Sequence, residues 1–130
     1  VRCVSKSSPR RLTAPVRHDC GDDAFFLSRR QQVEILGIAD GVSSWARYGV
    51  NPALFAWELM VRCEGASASS PQEVLSEGYK STLREATGLL GSSTACIASL
   101  DAVSGRFSVA NLGDSGALLL RDGKKVLATK

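Results

Sequence analysis

Residues 94–100, Thr-Ala-Cys-Ile-Ala-Ser-Leu, are apolar almost without interruption. A strand with one face in water alternates polar and apolar side chains, so an unbroken run of this length predicts a central strand covered on both faces. A chain that contains such a strand has to build layers around it, and the flanking segments say which. Upstream, residues 24–28 and 33–39 are aliphatic, aromatic or β-branched runs separated by Arg29, Arg30, Gln31 and Gln32, which reads as a hairpin. Downstream, residues 107–112, 117–120 and 125–128 follow as further strands, the last two joined by Asp122-Gly123, a strong hairpin signal.

Two helices are predicted between the hairpin and the central run. Asn51-Pro52 supplies a side-chain cap and then a proline whose fixed φ suits a first turn. Leu54, Phe55, Leu59 and Arg62 then fall at helical spacing, and Gly65 offers a left-handed stop. Ser70-Pro71-Gln72-Glu73 has the form of a capping box, and Leu75, Tyr79, Leu83 and Ala86 are expected to form the buried stripe of the second helix. Two strands, two helices and at least three strands in meander make an α+β architecture with antiparallel sheet.

Composition narrows the function classes. A length of 130 residues suits one domain or a piece of one, and with 44% hydrophobic but only 6% aromatic residues the core must be mostly aliphatic. No apolar run reaches the roughly 20 residues of a membrane-spanning helix. A formal net charge of +3 is too small to point to nucleic acid. Cys3, Cys20, Cys63 and Cys96 form no Cys-x-x-Cys pair and have no histidine cluster near them, which predicts free thiols in a reducing, intracellular compartment. Residues 1–18 lack any acidic side chain and mix Arg and Lys with Ser. Residues 1–20 therefore read as a basic linker or the remnant of a mitochondrial or plastid transit peptide, ahead of a domain over 21–130; without import the setting is cytoplasmic.

Acidic residues cluster at predicted strand ends: Asp22 and Asp23 before the first strand, Asp40 after the second, Asp114 after the strand over 107–112. If loops bring any two of these carboxylates to about 4 Å, their repulsion amounts to roughly 4 kcal/mol at an effective dielectric of about 20, and a divalent cation reverses its sign. Carboxylates, backbone carbonyls and water, without histidine or thiolate, suit hard ions such as Mg²⁺ or Mn²⁺. Taken singly, each aspartate also fits a turn, since Asp beside Gly is a common turn composition.

Four motifs stand in order along the chain: Gly21-Asp22-Asp23-Ala24-Phe25-Phe26, Gly37-Ile38-Ala39-Asp40-Gly41-Val42, Gly91-Ser92-Ser93-Thr94-Ala95 and Asn111-Leu112-Gly113-Asp114-Ser115-Gly116. Together they resemble the N-terminal half of the metal-dependent Ser/Thr protein phosphatases of the PP2C type. Trp45 and Gly49-Val50-Asn51-Pro52 are similar to the organellar branch of that family. The resemblance implies an α-β-β-α sandwich of antiparallel sheets flanked by helices, a phosphoprotein substrate, two Mg²⁺ or Mn²⁺ ions with a third position, and a monomer when complete. It gives Asp40 the role of bridging ligand, the Gly41 carbonyl a ligand role, Asp22 and Asp23 the place of the usual Glu-Asp pair, and Asp114 a third, weaker metal position. The implied chemistry is direct hydrolysis of phosphoserine or phosphothreonine by a water deprotonated between two cations, with Asp40 and Asp22 carrying the catalytic roles.

Departures from the pattern define the alternatives. Val42 stands where many members have a His, and His18 where many have a phosphate-gripping Arg, which leaves Arg17 as a weak substitute for substrate binding. Ser43 and Ser44 replace glycines of the organellar branch, and Asp22 is shorter than the usual Glu. The family completes its metal site with aspartates from a C-terminal half, and no acidic residue follows Asp122 here, so this piece alone is expected to be inactive. A non-catalytic phosphatase-like binding module is the second reading. The third, a serine protease-like hydrolase, rests on Gly113-Asp114-Ser115-Gly116 and the order His18, Asp40, Ser115; a triad is defined by geometry, and two helices lie where barrel strands are required.

Overall fold

The computed structural model describes residues 20–129; the expectations for the basic segment, including Arg17 and His18, fall on residues outside that range. Strands β1 (Asp23–Arg30) and β2 (Val33–Asp40) pair antiparallel from Asp23 opposite Asp40 to Arg30 opposite Val33, and Gln31 turns the chain with φ of 56°. This hairpin is longer than its apolar runs. Backbone pairing continues through polar positions when their side chains find partners in solvent, and Arg29 does so with Glu34 at 3.2 Å.

Strand β3 (Ala95–Asp101) lies between β2 and β4 (Phe107–Leu112) in a four-stranded antiparallel sheet of order β1-β2-β3-β4. Ala95 to Ser99 are all buried, as the unbroken apolar run requires. The expected meander stops at β4. Strands β5 (Leu118–Arg121) and β6 (Lys124–Ala128) pair only with each other, around a turn with Asp122 at φ 50° and Gly123 at φ 73°, the two left-handed positions of a tight hairpin.

Helix α1 (Pro52–Glu64) starts as the sequence predicts, with the Asn51 side chain accepting from the Ala53 N–H at 3.0 Å. Its end differs: Gly65 keeps a right-handed φ of −82° and donates its N–H to the Val61 carbonyl, so the helical turn closes without a left-handed residue. Helix α2 (Pro71–Glu85) is capped by Ser70, whose hydroxyl accepts from the Glu73 N–H and bonds the Glu73 carboxylate at 2.7 Å. Its buried positions are Pro71, Val74, Gly78 and Thr82, whereas Tyr79 and Leu83 are exposed. The buried stripe is thus displaced by one residue from Leu75, Tyr79, Leu83 and Ala86. The cause is the helix pair: at Gly78 a Cβ would sit 2.9 Å from the Cys63 backbone nitrogen, so the helices approach through the glycine and not through the larger apolar side chains.

Both helices lie on one face of the sheet. There Ala24, Phe26, Ile35, Ala39, Ala95 and Ile97 meet Ala56, Trp57, Leu59, Met60, Cys63 and Val74. Cys63 is free, and burial pushes its thiol up to about 12, so it is an inert packing residue. Cys96 is also free and buried, while Cys20 is disulfide-bonded, which departs from the expectation of free thiols throughout. The link between the helices is gripped from two sides. Arg30 donates to the carbonyls of Cys63, Glu64 and Ala68, and the Glu77 carboxylate accepts from the N–H groups of Ser67 and Ala68.

Candidate metal centre

The hairpin register puts Asp23 directly opposite Asp40, at the end of the sheet where β2 runs into its loop. Cross-strand partners stand close enough to interact, and like charges placed so repel. The Asp23 carboxyl is accordingly held above the usual carboxylate range, first by partial burial, then by the Asp40 charge, by a hydrogen bond with the Asp40 side chain, and by the Asp22 charge.

The loop after Asp40 is held close to the hairpin. Gly41 donates its N–H to the Asp22 carbonyl at 3.0 Å, and a Cβ at position 41 would lie 2.8 Å from that same oxygen and collide with the Pro52 carbonyl. Only glycine fits this contact, which brings the start of α1 against the carboxylate end of β2. The chain then forms a 3-10 helix, Ser43–Tyr48, absent from the sequence reading. Its first residue donates from Ser43 Oγ to Asp22 Oδ2 at 2.7 Å, and Trp45 Nε1 donates to Ser92 Oγ at 2.8 Å.

The Gly91–Ala95 motif meets Asp40 on its backbone. Thr94 N–H and Ser93 Oγ both donate to the Asp40 carbonyl at 2.9 Å, and the Asp40 N–H donates to Thr94 Oγ1 at 3.0 Å. Asp114 lies in the exposed loop after β4, and the neighbouring Ser115 Oγ is 2.6 Å from Thr94 Oγ1. Of the residues singled out from sequence, Asp22, Asp23, Asp40 and Gly41 therefore come together. Asp114 belongs to a loop linked to them through Ser115 and Thr94, and Arg17 lies outside the described residues. Ser43 and Thr94 were missed as supports; the serine that replaces a family glycine was the available signal for the first.

A hard divalent cation fits the chemistry of this donor set: two opposed carboxyl groups whose repulsion it would relieve, beside a glycine packed against backbone. The set is not a complete cage. Among the described residues no group of three or more His, Cys, Asp or Glu side chains is arranged to hold a metal ion. The protease-like alternative finds no support in the same geometry. Asp40 stands opposite Asp23, the Ser115 hydroxyl is engaged with Thr94, and the described residues include no histidine.

Comparison with known proteins agrees with the motif order. No family model matches the chain. It is 46% identical over 112 residues to the protein phosphatase PTC7 homolog of Danio rerio, an alignment covering 82% of this chain and 38% of the relative. The Homo sapiens PTC7 homolog is likewise 46% identical, with 82% and 37% covered, and the PTC7 homolog fig of Drosophila willistoni is 37% identical, with 95% and 42% covered. The X-ray structure of the photosystem II phosphatase PBCP superimposes with a TM-score of 0.71 at 35% identity, covering 85% of this chain and 43% of that one. The chain thus spans about two-fifths of the length of the curated relatives it matches. By sequence and by fold it belongs to the PP2C-type phosphatases, as part of their chain.

Proposed function

We propose that these residues form part of a metal-dependent phosphatase that hydrolyses phosphoserine or phosphothreonine in a protein substrate, and that the 130 residues by themselves are inactive. The observation that carries the proposal is the Asp23–Asp40 pair, two carboxyl groups that the hairpin register sets opposite one another, in a chain related to named protein phosphatases. Asp40 and Asp23, with the Gly41 carbonyl, would hold Mg²⁺ or Mn²⁺. When bound, such a cation neutralises charge on the phosphoryl oxygens and acidifies a water for direct attack.

The chain's own residues supply position. Ser43 fixes the Asp22 carboxylate, whose arm is shorter than that of a glutamate, so its orientation is set by a neighbour rather than by reach. Ser93 and Thr94 fix the Asp40 backbone, which leaves the carboxylate with few orientations to lose when a ligand binds. Asp114 and Arg17 are assigned to a weaker cation position and to substrate phosphate on family resemblance.

The test is phosphate release from a phosphoserine peptide by the full-length protein, with and without chelator. Release that requires Mg²⁺ or Mn²⁺ and disappears in Asp40→Asn supports the proposal. Release that survives chelation overturns it, and tight Mn²⁺ binding without turnover converts it to a binding module.

A further inference from the structure

The proposed function uses Thr94 only to hold the Asp40 backbone, yet its bonds reach further than that residue. Both backbone polar groups of Asp40 end on its motif: the N–H on Thr94 Oγ1 at 3.0 Å, the carbonyl on the Thr94 N–H and Ser93 Oγ at 2.9 Å. The same Thr94 Oγ1 lies 2.6 Å from Ser115 Oγ, one residue beyond Asp114. The Thr94 methyl is occupied as well, since at Gly113, with φ of 92°, a Cβ would fall 2.9 Å from Thr94 Cγ2.

We infer that Thr94 is a positioning residue that fixes the Asp114 loop relative to the Asp40 carboxylate, so that the two acidic motifs act as one site; this rests on the metal-site reading above. A hydroxyl suits the task. It accepts from the Asp40 N–H, bonds Ser115 with its remaining capacity, and adds no charge beside the carboxylates. The methyl only packs toward Gly113, and the hydroxyl carries the positioning: valine retains the shape without the hydroxyl bonds, and serine retains those bonds without the methyl. Residues that orient a metal's ligands without touching it affect affinity by roughly 10-fold to 100-fold.

The experiment is Mn²⁺ titration of the full-length protein by calorimetry, paired with hydrogen exchange of the Asp40 amide and the amides of residues 113–116 in metal-free protein. Thr94→Val is expected to weaken Mn²⁺ binding by about 10-fold to 100-fold and to speed exchange at both places, while Thr94→Ser stays within about three-fold of wild type. Ser115→Ala is expected to speed exchange over 113–116 alone. Combined with Thr94→Val it should add nothing, because its link runs through Thr94. Unchanged Mn²⁺ affinity in Thr94→Val overturns the inference, and so does an additive loss in the double variant. A loss in Thr94→Ser without one in Thr94→Val also overturns it, by assigning the effect to methyl packing. Wild-type protein that binds no Mn²⁺ overturns the metal-site reading and this inference together; wild-type binding that Thr94→Val leaves intact overturns this inference alone.

Discussion

The two faces of the four-stranded sheet are built to different standards. On one, Ile35 and Ile97 are 1% and 0% exposed beneath α1 and α2; on the other, Leu27, Leu36, Ile38 and Leu100 are 71%, 45%, 40% and 45% exposed. Asp23 and Asp40 alternate in register with the second set, at the end of its β1 and β2 rows. The candidate site therefore stands on the open face while the helix-covered face holds its strands in place. The helices brace the sheet from behind, and the candidate carboxyl groups lie on the side facing away from them.

Several variants sharpen or break this contrast. Asp40→Asn in the full-length protein should remove more Mn²⁺ affinity than the roughly 100-fold upper range for a supporting residue, with the metal-free melting temperature preserved; calorimetry and thermal unfolding check both parts. On the covered face, Ile97→Ala should lower stability by about 2–5 kcal/mol in denaturant titration, because the surrounding core collapses only partly around the cavity. Gly78→Ala should destabilise by about 1–3 kcal/mol by pushing a methyl toward the Cys63 backbone, and a loss near zero would show that the helices can separate without penalty. Leu27→Ala on the open face should stay within about 0.5 kcal/mol.

The smallest expected effect is one of pH. A carboxyl raised in the folded state binds its proton more tightly there than in the unfolded chain. The Asp23 contribution to metal-free stability should therefore increase as pH falls through the raised Asp23 value toward the ordinary carboxylate range, and that gain is lost as pH rises again. Chemical denaturation of metal-free protein at a series of pH values measures this slope, and Asp23→Asn should flatten it. Because the lowered carboxyls of Glu77, Glu85 and Asp101 contribute slopes of the opposite sign, the readout is the wild-type slope minus that of Asp23→Asn, and a difference of the opposite sign would mean that Asp23 is not raised by Asp40.

Much of this contrast was legible in the residues. The run over 94–100 marked a buried central strand, although helices cover only one of the two faces expected for it, and Asn51-Pro52 and Ser70-Pro71 marked helix starts that the structure reproduces, because capping depends on neighbours in sequence. The grouping of Asp22, Asp23 and Asp40 followed from a hairpin whose ends must meet. Features governed by contacts between distant segments were not legible. The α2 stripe turned by one residue because Gly78 meets Cys63, and Gly65 stayed right-handed. The separation of β5 and β6 from the main sheet, and the supports given by Ser43 and Thr94, depend on partners 21 or more residues away or on strand pairing that no local pattern encodes.

The link between the helices carries a different consequence. Gly65-Ala66-Ser67-Ala68-Ser69-Ser70 has the composition of a flexible tether, the kind of segment a protease cuts first. Arg30 closes from the sheet on the Ala68 carbonyl and on those of Cys63 and Glu64 that end α1, and Glu77 closes on the Ser67 and Ala68 amides from α2. Removing the charge of Arg30 or Glu77 is expected to speed proteolysis between α1 and α2. Trypsin-independent nicking between α1 and α2 would then serve as a sensitive gauge of whether β1 is seated.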